Sequence, residues 1–471
     1  MSLTRRIAHN TFFQISGKIV STILGVIAIG MMTRTLGQDG FGAYTTIIAF
    51  LQFFGILVDF GLTITTMSMI AVPGVDERRI LGNLMTFRLV TAALFLALAP
   101  LTALFFPYSE EIKWGIALNT LSFLAVAVNQ VLTGYFQKEL RSHIIALAEI
   151  AGRGVLIGLL FIAVIQNRGL LFMIGAIIIG AWTNTLLNFF FAHARVRFVA
   201  AWDFDIWKKI IHISWPIALS IFFNLIYLKA DTIILSLFRT QGEVGIYGAP
   251  YRVLETLATF PFLFVGLVFP VFTHAYEQGD RERLRRTFQK TFDALAVLAL
   301  PMVAGTLVLA RPIMVLVAGD EFAASGPLLQ ILILAAGFIF FGTLFGHLIV
   351  VAHAQKRMIL GYAITACIAL AGYIVFIPIY SYWGAAWMTV VAEGTILLLT
   401  AWMVIRTLQL VPRFSIFLRA FGASVCMALA LAYFNTLHVL LLVPIGTVLY
   451  GVFLYLFRGI PHEIIRKITA P

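Results

Sequence analysis

The sequence predicts an all-α, polytopic membrane protein of about 14 transmembrane helices, built as two pseudo-symmetric six-helix lobes around a central cleft plus two C-terminal helices. Of its 471 residues 61% are hydrophobic and only 11% charged, against about 25% charged in an ordinary soluble domain. Charges this sparse cannot coat a soluble surface of such size. Apolar runs recur along the whole chain, each near the roughly 20 residues that carry a helix across about 30 Å of hydrocarbon. They are read as helices because backbone groups facing lipid must be satisfied within their own segment.

Arg5 and Arg6 precede the first run, and no small-residue cleavage site follows, so residues 11–33 are expected as an uncleaved first span. The remaining spans are expected at 42–70, 80–106, 113–136, 143–166, 169–193, 211–237, 244–275, 287–310, 325–351, 357–379, 383–408, 416–434 and 438–457. With the N-terminus inside, 23 of the 33 Lys and Arg fall in inner segments and five in outer loops. Cytoplasmic loops collect positive charge. Both termini are therefore expected in the cytoplasm of a multi-pass plasma (bacterial inner) membrane protein. The formal charge of +12 then reflects membrane topology, and no nucleic-acid partner is expected.

The connections carry the domain organisation. Outer loops are short, the longest running from about Arg311 to Gly326, so none is large enough for an enzyme domain. The longest inner connection mixes Trp202, Phe204 and Trp207 with Lys208 and Lys209, which suits an amphipathic segment in the headgroup region. The expected organisation is an N-lobe over 1–194, an interfacial linker over 195–210, a C-lobe over 211–410, and spans 13–14 with a tail over 411–471. The linker is expected to join the lobes without fixing their angle.

The lobes repeat each other at four landmarks in order. Phe41-Gly42-Ala43-Tyr44 matches Val244-Gly245-Ile246-Tyr247, and Asp76-Glu77-Arg78-Arg79-Ile80 matches Asp280-Arg281-Glu282-Arg283-Leu284. Pro100 recurs as Pro301, and Gln137-Lys138 as Gln355-Lys356. Both copies begin on the same side, which predicts a parallel repeat about an axis along the membrane normal.

Polar residues mark candidate sites. Asn10, Gln14, Lys18 and Thr22 recur at steps of four, and Gln52, Asp59 and Thr66 at steps of seven. Span 4 shows Asn119, Ser122, Asn129, Thr133 and Gln137; span 7 shows Ser220, Asn224, Tyr227 and Asp231; span 8 shows Arg252, Glu255 and Thr259. Each set occupies one helical face, and such a face looks onto protein or water rather than lipid. Interhelical hydrogen bonding is the plain role for single Ser and Thr residues. Charges in hydrocarbon are functional candidates by default, and the set is Lys18, Asp59, Arg88, Glu149, Arg153, Lys229, Asp231, Arg252, Glu255, Asp293 and Glu393. Glu149 with Arg153 and Arg252 with Glu255 also have the spacing to neutralise each other. Cys367 and Cys426 lie in apolar stretches without redox spacing, and no catalytic or metal constellation appears among the nine histidines.

Arg34-Thr35-Leu36-Gly37, followed by Phe41-Gly42-Ala43-Tyr44 and preceded by a first span containing Asn10, resembles the opening of the polysaccharide transporter family. That family belongs to the multidrug/oligosaccharidyl-lipid/polysaccharide exporter superfamily, and the resemblance extends over essentially the whole chain. It implies flipping of polyprenyl-pyrophosphate-linked oligosaccharide from the cytoplasmic to the outer leaflet by alternating access, for cell-surface polysaccharide assembly. It also implies membrane lipids and polysaccharide polymerase or ligase machinery as partners. Guanidinium and ammonium groups suit an anionic lipid-linked glycan, so Lys18, Arg88, Arg153, Lys229 and Arg252 are the candidates for the diphosphate. Gln14, Asn224 and Tyr227 are candidates for the sugars. Basic residues do not outnumber acids within the spans, and Asp59, Asp231 and Glu255 are candidates for a coupling H+ or Na+; no other cofactor and no metal is expected.

A cation-coupled multidrug exporter or a lipid II flippase are the alternative readings. A membrane glycosyltransferase or polymerase would carry a large outer loop with acidic or histidine chemistry, and a channel a repeated filter-like loop; neither is present in the sequence.

Overall fold

The computed structural model describes residues 3–59, 65–66, 69–70, 76–434 and 437–459, and among them every regular element is helical. The twelve α-helices are α1 (Leu3–Asp59), α2 (Glu77–Ala103), α3 (Glu110–Lys138), α4 (Ser142–Ile165), α5 (Leu170–Val196), α6 (Phe204–Phe238), α7 (Gln241–Glu277), α8 (Arg281–Ala318), α9 (Gly326–Val351), α10 (Gln355–Leu408), α11 (Ser415–Tyr433) and α12 (Val439–Leu456). A short 3-10 helix, Asp320–Ser325, leads into α9.

Two of these helices each hold two limbs. In α1 the backbone leaves the helix at Gly37 (φ 64°, ψ −168°), a left-handed conformation that glycine reaches without steric cost. Gly17 of the first limb packs on Ala146 of α4, and Gly55 of the second packs on Phe123 of α3. The limbs run in opposite directions. In α10 the break is at Ser381 (φ 54°, ψ −138°), and Gly361 opposite Leu399 with Gly372 opposite Met388 makes it a hairpin. Eleven helices are long and apolar enough to span a membrane; counting both limbs of α1 and α10, and adding α6, the described residues hold fourteen helical limbs. The expected count of fourteen spans is thus approximate.

Chain termini and caps follow local chemistry. Asp76 accepts hydrogen bonds from the backbone N–H groups of Arg78 and Arg79 at the start of α2, and Asp280 accepts one from Arg283 at the start of α8. These two aspartates are landmarks of the internal repeat, and both serve as N-caps. Pro100 and Pro301 likewise both lie inside their helices. The fourth landmark is not equivalent: Lys138 closes α3, whereas Lys356 sits in the first turn of α10.

The chain forms two compact units. The first comprises Met1–Gly248 with Tyr373–Tyr382; the second comprises Ala249–Gly372 with Trp383–Pro471. The boundary thus falls inside α7 and α10 rather than in the 195–210 connection.

Within the first unit, apolar cores lie on both sides of α3. Phe50, Leu51, Tyr108, Ile112 and Ile116 pack near the Gly37 turn, and Leu84, Leu132, Tyr135, Phe136 and Ile210 pack at the opposite end. That opposite end, the basic face, carries Arg78, Arg79, Lys138, Arg141, Arg195 and Arg197. Residues 197–203 do not form an independent helix there. They lie as a strap along the start of α2: Arg78 Nε donates to the Val196 carbonyl at 2.7 Å, and Arg79 pairs with Asp203 at 2.5 Å. Asn83 accepts from the Asp203 N–H and Thr86 from the Ala201 N–H. Trp202 and Phe204 remain exposed, as membrane-surface aromatics would be.

At the face opposite the basic one, the two repeat-related hairpins meet. A side chain on Gly42 would overlap the carbonyl of Gln241, and one on Gly245 would overlap the carbonyl of Gln38. Thr46 donates to Gln241, and Tyr108 shares a hydrogen bond with Ser236. The matched sequence motifs therefore touch each other reciprocally, each backbone seated against the other's missing side chain.

Within the second unit, α8, α11 and α12 share a core built from Leu309, Ala420, Ala423, Met427, Leu442 and Leu454. The final two spans thus pack on α8.

Candidate functional site

The clearest candidate site is a cavity of about 260 Å³ inside the first unit. The second limb of α1 gives Gln52, Gly55 and Val58, α2 gives Arg88 and Leu96, α3 gives Phe123, Val126, Ala127 and Gln130, and α6 gives Lys229. Arg88 and Lys229, two of the five basic candidates, come together here.

Arg88 is fully buried. Its Nε donates to the Ala127 carbonyl at 2.9 Å, and its Nη1 donates to the Val58 carbonyl. Val58 lies one residue before the described end of α1, where helical carbonyls lack intrahelical donors. Through these two carbonyls the guanidinium ties α1 to α3, so its position is fixed before any ligand arrives. Arg88 lies eleven residues beyond Glu77, or roughly 16 Å along α2 from the basic face. Lys229 lies nine residues before Phe238, roughly 14 Å from the other face. Both sit near mid-membrane. The Gln52 Oε1 atom is buried and without a hydrogen-bond partner, an unmet acceptor on the cavity wall. Two cations, two amides and an aromatic ring facing a space of this volume can hold a diphosphate with sugar hydroxyls; they provide no nucleophile or acid–base pair.

A second cluster joins α1 to α4. Lys18 Nζ lies 3.6 Å from Glu149 Oε1, and Ser21 donates to the same oxygen at 2.5 Å. The pairing thus runs between helices, not within α4 as the Glu149–Arg153 spacing suggested. Arg153 lies beside Gly25, also eleven residues into its helix, and among the described residues it has no ion pair.

Of the other candidates, Asp231 interacts electrostatically with Lys229, and the rest are placed separately. Arg252 pairs with Glu255 at 2.8 Å within α7, the self-neutralising arrangement their spacing allows. Asp231 is fully buried and accepts from Tyr247 Oη at 2.6 Å and from the Thr232 N–H and hydroxyl. Tyr227 is buried, with its carbonyl accepting from Tyr373 Oη at 2.9 Å. Gln14 is exposed on the first limb of α1. The side chains of Asn224 and Asp59 lie outside the described residues. Gln130 is a cavity residue that the stripe of span 4 passes over, since it sits one position after Asn129. Only packing against α1 and α2 shows which way it faces. Among the described residues, no three His, Cys, Asp or Glu side chains group as a metal site would require.

A family described as polysaccharide biosynthesis protein matches residues 31–327. A putative O-antigen transporter of Shigella flexneri is 20% identical over 309 residues, covering 63% of this chain and 73% of its own. A probable low-salt glycan biosynthesis flippase of Haloferax volcanii is 22% identical over 327 residues, covering 66% of this chain and 64% of its own. Among solved structures, the lipid II flippase MurJ in an inward closed conformation aligns with a TM-score of 0.74 at 15% identity, over 97% of this chain and 100% of that one. An inward-facing multidrug MATE transporter aligns with a TM-score of 0.68 at 15% identity, over 85% of this chain and 99% of that one. At such identities the solved structures share the fold alone. The family match covers more than half of the chain and falls on the segment that builds the cavity and the paired hairpins, so this chain belongs to the polysaccharide biosynthesis protein family.

Proposed function

We propose that the chain is a flippase that carries a polyprenyl-diphosphate-linked oligosaccharide from the cytoplasmic to the outer leaflet by alternating access. The observation that carries this reading is the juxtaposition of Arg88 and Lys229 on one mid-membrane cavity with Gln52 and Gln130. Cations held near the bilayer centre are costly unless used, and charge-assisted hydrogen bonds to phosphate strengthen where water is scarce. The glycan would meet the amides of the cavity, while the polyprenyl tail stays in lipid. In this reading the basic face and both termini lie in the cytoplasm, which the Lys and Arg asymmetry supports. The paired glycine hairpins then form the outer seal, and the flipped glycan is released to polymerase or ligase machinery outside. The named transporter and flippase relatives support a transport role rather than a catalytic one.

Lys229 is the residue to test: its substitution leaves the backbone carbonyls that Arg88 holds undisturbed, although Lys229 also interacts electrostatically with Asp231. In vesicles bearing lipid-linked glycan, Lys229→Gln is expected to slow flipping about tenfold, the loss of roughly one charged hydrogen bond, at unchanged protein yield. A wild-type rate in that variant would remove the diphosphate assignment. A multidrug exporter would instead show drug efflux from the same vesicles and leave the glycan unmoved.

A further inference from the structure

Most acids inside the helices have partners: Glu149 with Lys18, Glu255 with Arg252, Asp231 with Tyr247, and Asp293 with Gln289. Glu393 differs. It lies in the second limb of α10, twelve residues beyond the Ser381 turn and roughly 18 Å along the helix. It is 5% exposed, and among the described residues no hydrogen bond or ion pair reaches it. The buried stripe around it consists of Ala386, Thr389, Ala392, Ile396 and Thr400. Its two threonine hydroxyls donate back to the Ala385 and Ile396 carbonyls.

Among the described residues, the neighbouring elements supply no compensating cation. α9 packs here through Phe338, 3.3 Å from where a Cβ on Gly394 would sit. Its titratable residue, His347, points elsewhere: Nδ1 is 2.8 Å from the Thr343 carbonyl, and the ring lies against Phe262 and Phe269 of α7. On the first limb of α10, Lys356, Arg357 and Cys367 are exposed, Tyr362 shares the stripe of buried Thr365, and Tyr373 bonds the Tyr227 carbonyl. On α7, Arg252 and Glu255 pair with each other. An ionised carboxylate so placed would be an uncompensated charge in the membrane interior, far more costly than the neutral acid.

We propose that Glu393 is the proton carrier that couples transport to a transmembrane proton gradient. In the conformation described here its carboxyl holds a proton. When the alternate state admits water, the O–H bond breaks, water takes the proton as hydronium, and the carboxylate is reprotonated from the other compartment in the next cycle. The apolar stripe suits a proton better than a sodium ion, which needs several oxygen ligands at once. What is moved in exchange rests on the flippase reading; the protonation itself does not.

Two measurements on the full chain in vesicles test this. The first follows flipping of lipid-linked glycan under an imposed pH gradient and, separately, a sodium gradient. The wild type is expected to respond several-fold to the pH gradient alone. Glu393→Gln, which mimics the neutral acid, is expected to flip at one rate with or without it, and Glu393→Asp to regain the response. The second is infrared difference spectroscopy across a pH titration, where a protonated-carboxyl band in the wild type should vanish in Glu393→Gln. An unchanged band, a gradient response retained by Glu393→Gln, or a wild type driven by sodium would each overturn the assignment. If no glycan moves in any sample, the flippase reading fails while the infrared result still decides the state of Glu393.

Discussion

At the scale of single residues, burial decides which polar groups are scaffolding and which are available. Arg88 shows both roles. Arg88→Ala removes the donors to Val58 and Ala127 and enlarges the cavity, so it is expected to cost about 1–3 kcal/mol and to lower the melting temperature in detergent along with transport. Tyr247→Phe should cost a similar amount, about 1–3 kcal/mol, because it strips the hydroxyl that bonds Asp231 at 2.6 Å; reversible unfolding in mixed micelles would measure it. The spacing of charges along each helix is visible in the sequence, and the Arg252–Glu255 pair follows from it. The partner of Glu149 is not, because Lys18 and Ser21 lie 131 and 128 positions away and only packing of α1 on α4 selects them. The same holds for Gln130, which a stripe of period four passes over by one position.

At the scale of elements, the hairpin motifs read as tight turns in the sequence, yet their larger role is close approach. Gly42→Val is expected to destabilise the protein by about 1–3 kcal/mol through overpacking against Gln241, seen as a lower melting temperature. Gly266→Ala, with open space around the site, should be neutral or stabilising and serves as the control. The strap of residues 197–203 was legible only as an aromatic and lysine-rich connection; its docking depends on Asn83 and Thr86, small polar residues without a distinctive pattern. Hydrogen bonding from Arg79, and then from the Ile206 N–H, holds the Asp203 carboxyl below its ordinary range. A depressed value of this kind supports the strap above the ordinary pKa of about 4 and withdraws support as pH falls through the lowered one. Hydrogen exchange in 197–203 should therefore stay slow near neutrality and quicken below about pH 4, whereas Asp203→Asn should show the faster exchange at every pH.

For the molecule as a whole, composition and Lys/Arg sorting were enough to give an all-helical membrane fold, because hydrocarbon permits few other solutions. The division into compact units was not legible. The apolar runs of α7 and α10 continue in sequence across it, so hydropathy does not mark it. The turn of α10 belongs to the first unit: Ser381 donates to Glu243 at 2.6 Å, and Arg239 donates to the Pro378 carbonyl at 2.5 Å.

The backbone accordingly passes from one unit to the other three times, after Gly248, after Gly372 and after Tyr382. The first crossing has Pro250 two residues away, where the ladder of helical hydrogen bonds is weakest. No single cut in the chain therefore separates one unit from the other.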